Sequence, residues 1–197
     1  MPPTDGAPTA PDPRRVEDWL TELGIGPAER NERAGIASWD LILDGRRRFD
    51  IRATLILDPA FACIVWVHYA PPLQDGFRRS YRKLLRWNDE FPFAKFAVAE
   101  DERPVLTTEL PIERLDRDEL GLTIARLLGV CDRLVEESAR WIWLDGKVPP
   151  VGDRVSRQAA LLDRYAERLP ELLGPEVGVG DAADAPGGEK PAAELPA

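Results

Sequence analysis

The chain has 197 residues, 44% of them hydrophobic and 31% charged, a mix that excludes a disordered or fibrous polymer and fits one globular domain with a real core. The formal net charge of −9 argues against broad nucleic-acid binding by the whole molecule, although residues 1–13 carry −2 and residues 174–197 carry −4, which leaves −3 for the segment between them. No apolar run reaches the ~18 residues of a membrane span, and the N-terminus lacks the basic-then-apolar pattern of a signal peptide, so the expected location is the cytoplasm.

Residues 1–13 hold five prolines and are expected to form an unstructured tail. A first helix is expected from about Pro13, capped by Asp12, with Val16, Trp19, Leu20 and Leu23 on its apolar face and Gly24 and Gly26 ending it. Three strands should follow. Residues 36–43 place Trp39, Leu41 and Leu43 on one face, and residues 48–57 alternate Phe49, Ile51, Ala53, Leu55 and Leu57 against Asp50, Arg52 and Thr54. Residues 61–69 are apolar on both faces, as a central strand or one with an open binding face would be. A turn at 58–60 would pair Leu57 with Phe61, setting Arg52 across from Trp66 and Asp50 across from His68. A strict two-residue Asp44-Gly45 turn conflicts with the face pattern, so the first hairpin needs an odd loop or a bulge.

Residues 76–89 predict a helix with Phe77, Tyr81, Leu84, Leu85 and Asn88 on one side and Arg78, Arg79, Arg82, Lys83 and Arg86 on the other. A second hairpin, 92–99 with 104–111, turns at Glu100-Asp101-Glu102. Asp116 and Glu119 have the spacing of a capping box and open a long helix over about 117–143, with Leu120, Ile124, Leu127, Cys131, Leu134, Val135 and Ile142 as its stripe. A last amphipathic helix is expected over 153–173, with Val155, Leu162 and Leu169 in register and Pro170 disturbing its end. It would either dock on the domain or pair with another subunit. Residues 174–197 lack an aromatic residue or a periodic stripe and should be an unstructured acidic tail. The division is therefore a tail over 1–13, a domain over 14–150, a C-terminal helix over 151–173 and a tail over 174–197. The fold class is α+β, a mainly antiparallel five-stranded sheet in the order α-βββ-α-ββ-α with an added C-terminal helix.

Chemistry-bearing patterns are sparse. The one histidine, His68, and Cys63 are an odd number of residues apart on a strand and should face opposite ways, which disfavours a nucleophile pair. Cys63 and Cys131 both sit in apolar segments and read as buried, reduced core residues. One histidine and two cysteines cannot close a zinc site without carboxylates, and Asp89-Glu90, Glu100-Asp101-Glu102 and Glu136-Glu137 do not match a calcium loop. Gly24-Ile25-Gly26 and Gly178-Val179-Gly180 lack the context of a phosphate loop. No catalytic residue, metal ligand or cofactor is expected. Two sets of residues could bind a partner. Ile64 and Trp66 project from the third strand away from the main core, and Trp141 and Trp143 end the long helix. Arg78, Arg79, Arg82, Lys83 and Arg86 form a basic face that could hold an anionic partner or an ordinary solvated surface.

Residues 84–128 carry Leu84, Leu85 and Asn88 at a helix end, Lys95 and Phe96 in a strand, Leu110-Pro111 closing another, and the capped start Asp116 to Leu120. In this pattern the chain resembles the YbjN family, over roughly residues 36–143. That family is similar in fold to type III secretion chaperones of the CesT kind and is also described in terms of sensory transduction regulation. The resemblance implies a non-enzymatic, chaperone-like role with a protein or peptide client, often as a homodimer, and it supplies no catalytic residue. The Pro-rich start, the helix at 153–173 and the acidic tail depart from it.

Overall fold

The computed structural model describes residues 11–73 and 77–170, with the side chains of Phe77, Arg78 and Arg79 left out. The expected tails, apart from residues 11–13, therefore lie outside the described residues, as does Leu173.

Helix α1 (Pro13–Glu22) begins as its sequence dictates: the Asp12 carboxylate accepts the Arg14 N–H at 2.8 Å and Pro13 fills the first turn. It ends at Gly24, whose φ of +73° suits glycine, while the Ile25 N–H returns to the Leu20 carbonyl. Then comes a strand that hydrophobic periodicity does not reveal, β1 (Glu29–Arg33), in which every residue is exposed. It pairs with β2 (Ile36–Leu43) through a tight turn at Ala34-Gly35, both at positive φ. The sheet thus has six strands, not five. Its remaining members are β3 (Ile51–Asp58), β4 (Ala62–His68), β5 (Lys95–Val98) and β6 (Pro104–Pro111), in the antiparallel order β1-β2-β3-β4-β6-β5. The charged sequence of β1 suits an edge, where charge discourages pairing with another chain.

The expected register of β3 and β4 is corrected by two residues. Asp58 accepts the Phe61 N–H on its carbonyl and the Ala60 N–H on its side chain, so the turn reaches Phe61 and Leu57 pairs with Cys63. Thr54, not Arg52, lies across from Trp66. An even shift preserves the faces, so the apolar set stays together. Asp50 is not in the ladder opposite His68: it lies in the loop 44–50 between β2 and β3, at a φ of +54°.

Helix α2 (Phe77–Glu90) buries Leu84 and Trp87, while Leu85, expected on the apolar side, is 68% exposed. The expected long helix is two: α3 (Arg117–Arg133) and α4 (Val135–Ile142) meet at Leu134, whose carbonyl also accepts the Ser138 hydroxyl, a back-bond that bends helices. The Asp116 cap at the start of α3 is made, with the Glu119 N–H at 2.9 Å. From Leu120 to Cys131 α3 is buried on almost every side, because it lies on the sheet and is itself flanked by α1 and by α5 (Ala159–Arg164). A Cβ on Gly121 would stand 2.5 Å from Tyr165 Oη and 2.8 Å from Leu23 Cδ2. The last helix is far shorter than 153–173: a short 3-10 turn at Ala166–Arg168 follows α5, and Val155 is exposed. Residues 154–158 instead spend their polar groups on loop 44–50, as described below. Leu161, Leu162, Tyr165 and Leu169 join the main core, so this segment docks on its own domain.

Candidate binding face

The two faces of the sheet have different fates. One carries Ala37, Trp39, Leu41 and Leu43 of β2, Ile51, Ala53, Leu55 and Leu57 of β3, and Cys63, Val65 and Val67 of β4, all buried in a single core. The apolar residues that α1, α2, α3 and α5 bury join this same core. Among the described residues, none of the apolar side chains on the other face belongs to that core; Ile36, Ile42 and His68 are exposed there, although Ala62 and Val105 are buried. Registered rows cross this face: Ser38, Ile56, Ile64 and Glu109, then Asp40, Thr54, Trp66, Thr107 and Lys95. Ile36 and Ile42 are 38% and 42% exposed, and Ile56, Ile64 and Trp66 are half-buried. The structure thus brings Ile64 and Trp66 together with Ile56 and Ile36, which sequence reasoning had not singled out, while Ile42 stands apart across from Arg52. The alternation in β2 and β3 was the signal: it puts these isoleucines opposite the core set. The indole Nε1 of Trp66 is enclosed without a hydrogen-bond partner.

Trp141 and Trp143 do not join that face. Trp141 packs on Trp87 with ring centroids 5.4 Å apart and lies against the core. Trp143 is half-buried at the end of α4, beside the fully exposed Leu144 and the Pro71-Pro72 step. The basic face of α2 is partly committed. Lys83 donates to the Glu137 carbonyl at 3.0 Å, lies over the Trp87 and Trp141 rings, and with Arg86 approaches the Glu137 carboxylate at 3.6 and 3.5 Å. Arg82 is exposed, and the side chains of Arg78 and Arg79 lie outside the described residues.

Asn88 explains why a helix should end in Leu-Leu-x-x-Asn. Its Nδ2 donates to the Phe96 carbonyl at 3.1 Å and its Oδ1 accepts the Phe96 N–H at 2.5 Å. One amide side chain thereby satisfies both backbone groups of the outermost strand's central residue, as a neighbouring strand would.

Loop 44–50 is held from three sides. Asp132, at the end of α3, accepts the backbone N–H groups of Arg46, Arg47 and Arg48 at 2.6 to 2.9 Å. Burial pushes its carboxyl above the usual range, against the lowering effect of those bonds. Burial would also raise Asp44, but the Arg157 guanidinium, which grips both its oxygens at 2.7 Å, and the N–H groups of Asp50 and Arg157 reverse this and hold it at about 2. Ser156 Oγ donates to the Asp44 carbonyl, and Gln158 Oε1 accepts the Asp44 N–H. Asp50 takes Arg154 and Arg157 at 2.8 and 2.7 Å. Gly45 is required here, because a Cβ would collide with the Asp132 carboxylate.

His68 and Cys63 face opposite ways, as their spacing predicts: Cys63 is buried in the core and His68 lies exposed on the open face, with Thr54 Oγ1 3.4 Å from its Nε2. Both cysteines are free, and burial pushes each thiol up to about 12, so neither is a thiolate at neutral pH. No helix among the described residues is long and apolar enough to cross a membrane.

No curated protein matches the chain. A family model does: YbjN, with the description "Putative bacterial sensory transduction regulator", matches residues 12–140. The match runs from the Asp12 cap through most of α4, so α1 and β1 lie inside the family region and α5 outside it. It takes in the greater part of the chain, including the whole sheet and the Asn88 clasp, and on this ground the chain belongs to the YbjN family.

Proposed function

We propose that the protein is a non-enzymatic module that binds a protein or peptide through the helix-free face of its sheet. The observation that carries this reading is the group Ile36, Ile56, Ile64 and Trp66 on neighbouring strands of that face, with no described helix over it. A sheet whose second face served only solvent would be expected to alternate to polar residues there, and a contiguous apolar patch with a polar rim marks an interaction surface. Asp40, Arg52, Glu109 and Lys95 supply that rim. The membership in a family described in terms of sensory transduction regulation fits a binding role. In its finer form the proposal is a homodimeric, chaperone-like module of the cytoplasm, as the resemblance drawn from the sequence implies. The thiols of Cys63 and Cys131 are buried and protonated, which favours binding over nucleophilic chemistry.

The test is an Ile64→Ser, Trp66→Ser double variant compared with the unaltered protein in affinity capture from native lysate and in sedimentation. A set of partners, or a self-association, that the variant loses while keeping its melting temperature supports the reading. Identical partners and identical association state in both proteins would overturn it.

A further inference from the structure

A second feature lies at one corner of the open face, where Arg52 and His68 meet the loop before β3. Arg48 is 94% buried, its residue exposure being 6%. Its backbone N–H is held by Asp132, its Nη2 donates to the Tyr69 carbonyl, and its guanidinium lies 4.6 Å from the centroid of the Tyr69 ring. Among the described residues no carboxylate comes within ion-pair distance of it. The acids of the same loop are committed elsewhere, Asp44 to Arg157 and Asp50 to Arg154 and Arg157. Its Nη1 is enclosed and has no hydrogen-bond partner. A buried guanidinium carries a desolvation cost that an opposite charge normally offsets, and here its guanidinium meets one carbonyl and one ring face instead.

Arg48 lines a cleft of about 370 Å³ at the end of β3 and β4. The other charged or titratable groups of that cleft are Arg52, His68, Arg103, Asp50 and Tyr69. Arg52 is exposed and makes no ion pair among the described residues. Among the described residues Arg103 is paired only with Asp101 of its own turn. The one carboxylate among its described residues, Asp50, is already bound by two arginines, and burial keeps the Tyr69 hydroxyl protonated. The cleft therefore presents a surplus of positive charge with apolar walls from Ala70, Pro71, Pro72 and Ile142.

We infer that this cleft is a site for a small phosphate-bearing molecule, its phosphate held by the exposed Arg52 and Arg103 over the buried charge of Arg48, and its organic part against Pro71, Pro72 and Ile142. A dianion matches the surplus better than a single carboxylate does, and arginine suits phosphate oxygens through its planar array of donors. The volume exceeds that of a bare phosphate, which leaves room for a small ester group.

The experiment is isothermal titration of the full chain with inorganic phosphate and with phenyl phosphate, against benzoate and against chloride at matched ionic strength. Saturable binding of phosphate, tighter binding of phenyl phosphate and no saturable response to chloride or benzoate are expected. Arg52 and Arg103 are exposed, so an Arg52→Ala, Arg103→Ala variant should fold as before and bind phenyl phosphate at least about tenfold more weakly, or about 1.4 kcal/mol. Arg48→Met, which removes the buried charge, should also weaken phenyl phosphate binding, with circular dichroism confirming that it folds. Arg82→Ala, on α2, should bind as the unaltered protein does. Equal binding by the Arg52, Arg103 variant, equal responses to chloride and phosphate, or equal binding of benzoate and phenyl phosphate would overturn the assignment.

Discussion

Replacing Asp44 by Asn removes one charge from a side chain that is only 2% exposed and keeps its shape. In the folded protein Arg157 and two backbone N–H groups hold this carboxyl at about 2, whereas an unfolded chain returns it to about 4. The difference of roughly two pK units corresponds to about 2–3 kcal/mol of stability at neutral pH. The sign follows from the direction. A carboxyl lowered by folding contributes its full share above its unfolded value and loses it as pH falls towards its folded value. The Asp44→Asn variant should therefore be about 2–3 kcal/mol less stable than the original at pH 7, and by pH 3 about half of that gap should have closed. Urea unfolding at pH 7, 5 and 3, with both slopes checked for equality, measures it. A gap that is absent at pH 7, or that is undiminished at pH 3, would refute the assignment of this carboxylate as the ionised anchor of loop 44–50.

Other consequences are equally direct. Asn88→Ala should cost about 1–3 kcal/mol, since it strands both backbone groups of Phe96, and amide hydrogen exchange at Phe96 should accelerate while exchange in β3 keeps pace with global stability alone. Gly121→Ala should destabilise by about 1–3 kcal/mol through overpacking against Tyr165 and Leu23, read as a lower urea midpoint. Cys63 and Cys131, with thiols raised to about 12, should resist an aromatic disulfide reagent at pH 8 in the native protein and react promptly once it is unfolded. Fast labelling without denaturant would show that they are not buried.

The parts of the fold legible in the chain are those written in local chemistry. Asp12 before Pro13 and Asp116 before Glu119 are helix starts in sequence and in structure. The alternation of residues 51–57 sorts that strand into two faces, and a slip of two residues in its pairing left that sorting intact. The family pattern at Leu84, Leu85, Asn88, Lys95 and Phe96 was visible as a motif, but only the folded chain shows Asn88 clasping Phe96. Strand β1 was missed because its register rests on backbone pairing and on a turn of Ala34-Gly35, while its five side chains all face solvent. The spacing of Val155, Leu162 and Leu169 fits a helix through residues 153–158, yet Ser156, Arg157 and Gln158 bind Asp44, more than a hundred positions away.

The same division holds for the candidate sites. Sequence alone determined which residues share a strand face, that Cys63 and His68 point apart, and that Ile64 and Trp66 turn from the core, since a two-residue repeat fixes direction without any knowledge of neighbours. Whether that face is covered depends on where the helices go, and only the tertiary structure placed the apolar residues of α1, α2, α3 and α5 on the opposite side. The arginine-rich stretch of α2 drew attention through local density, but Glu137 of α4 takes up part of its charge. Arg48 sits in a plain run of three arginines, and nothing local separates it from Arg46 and Arg47. It becomes distinct only because packing buries it on Tyr69, beyond the reach of every described carboxylate: desolvation is set by the whole fold, not by neighbours in the chain.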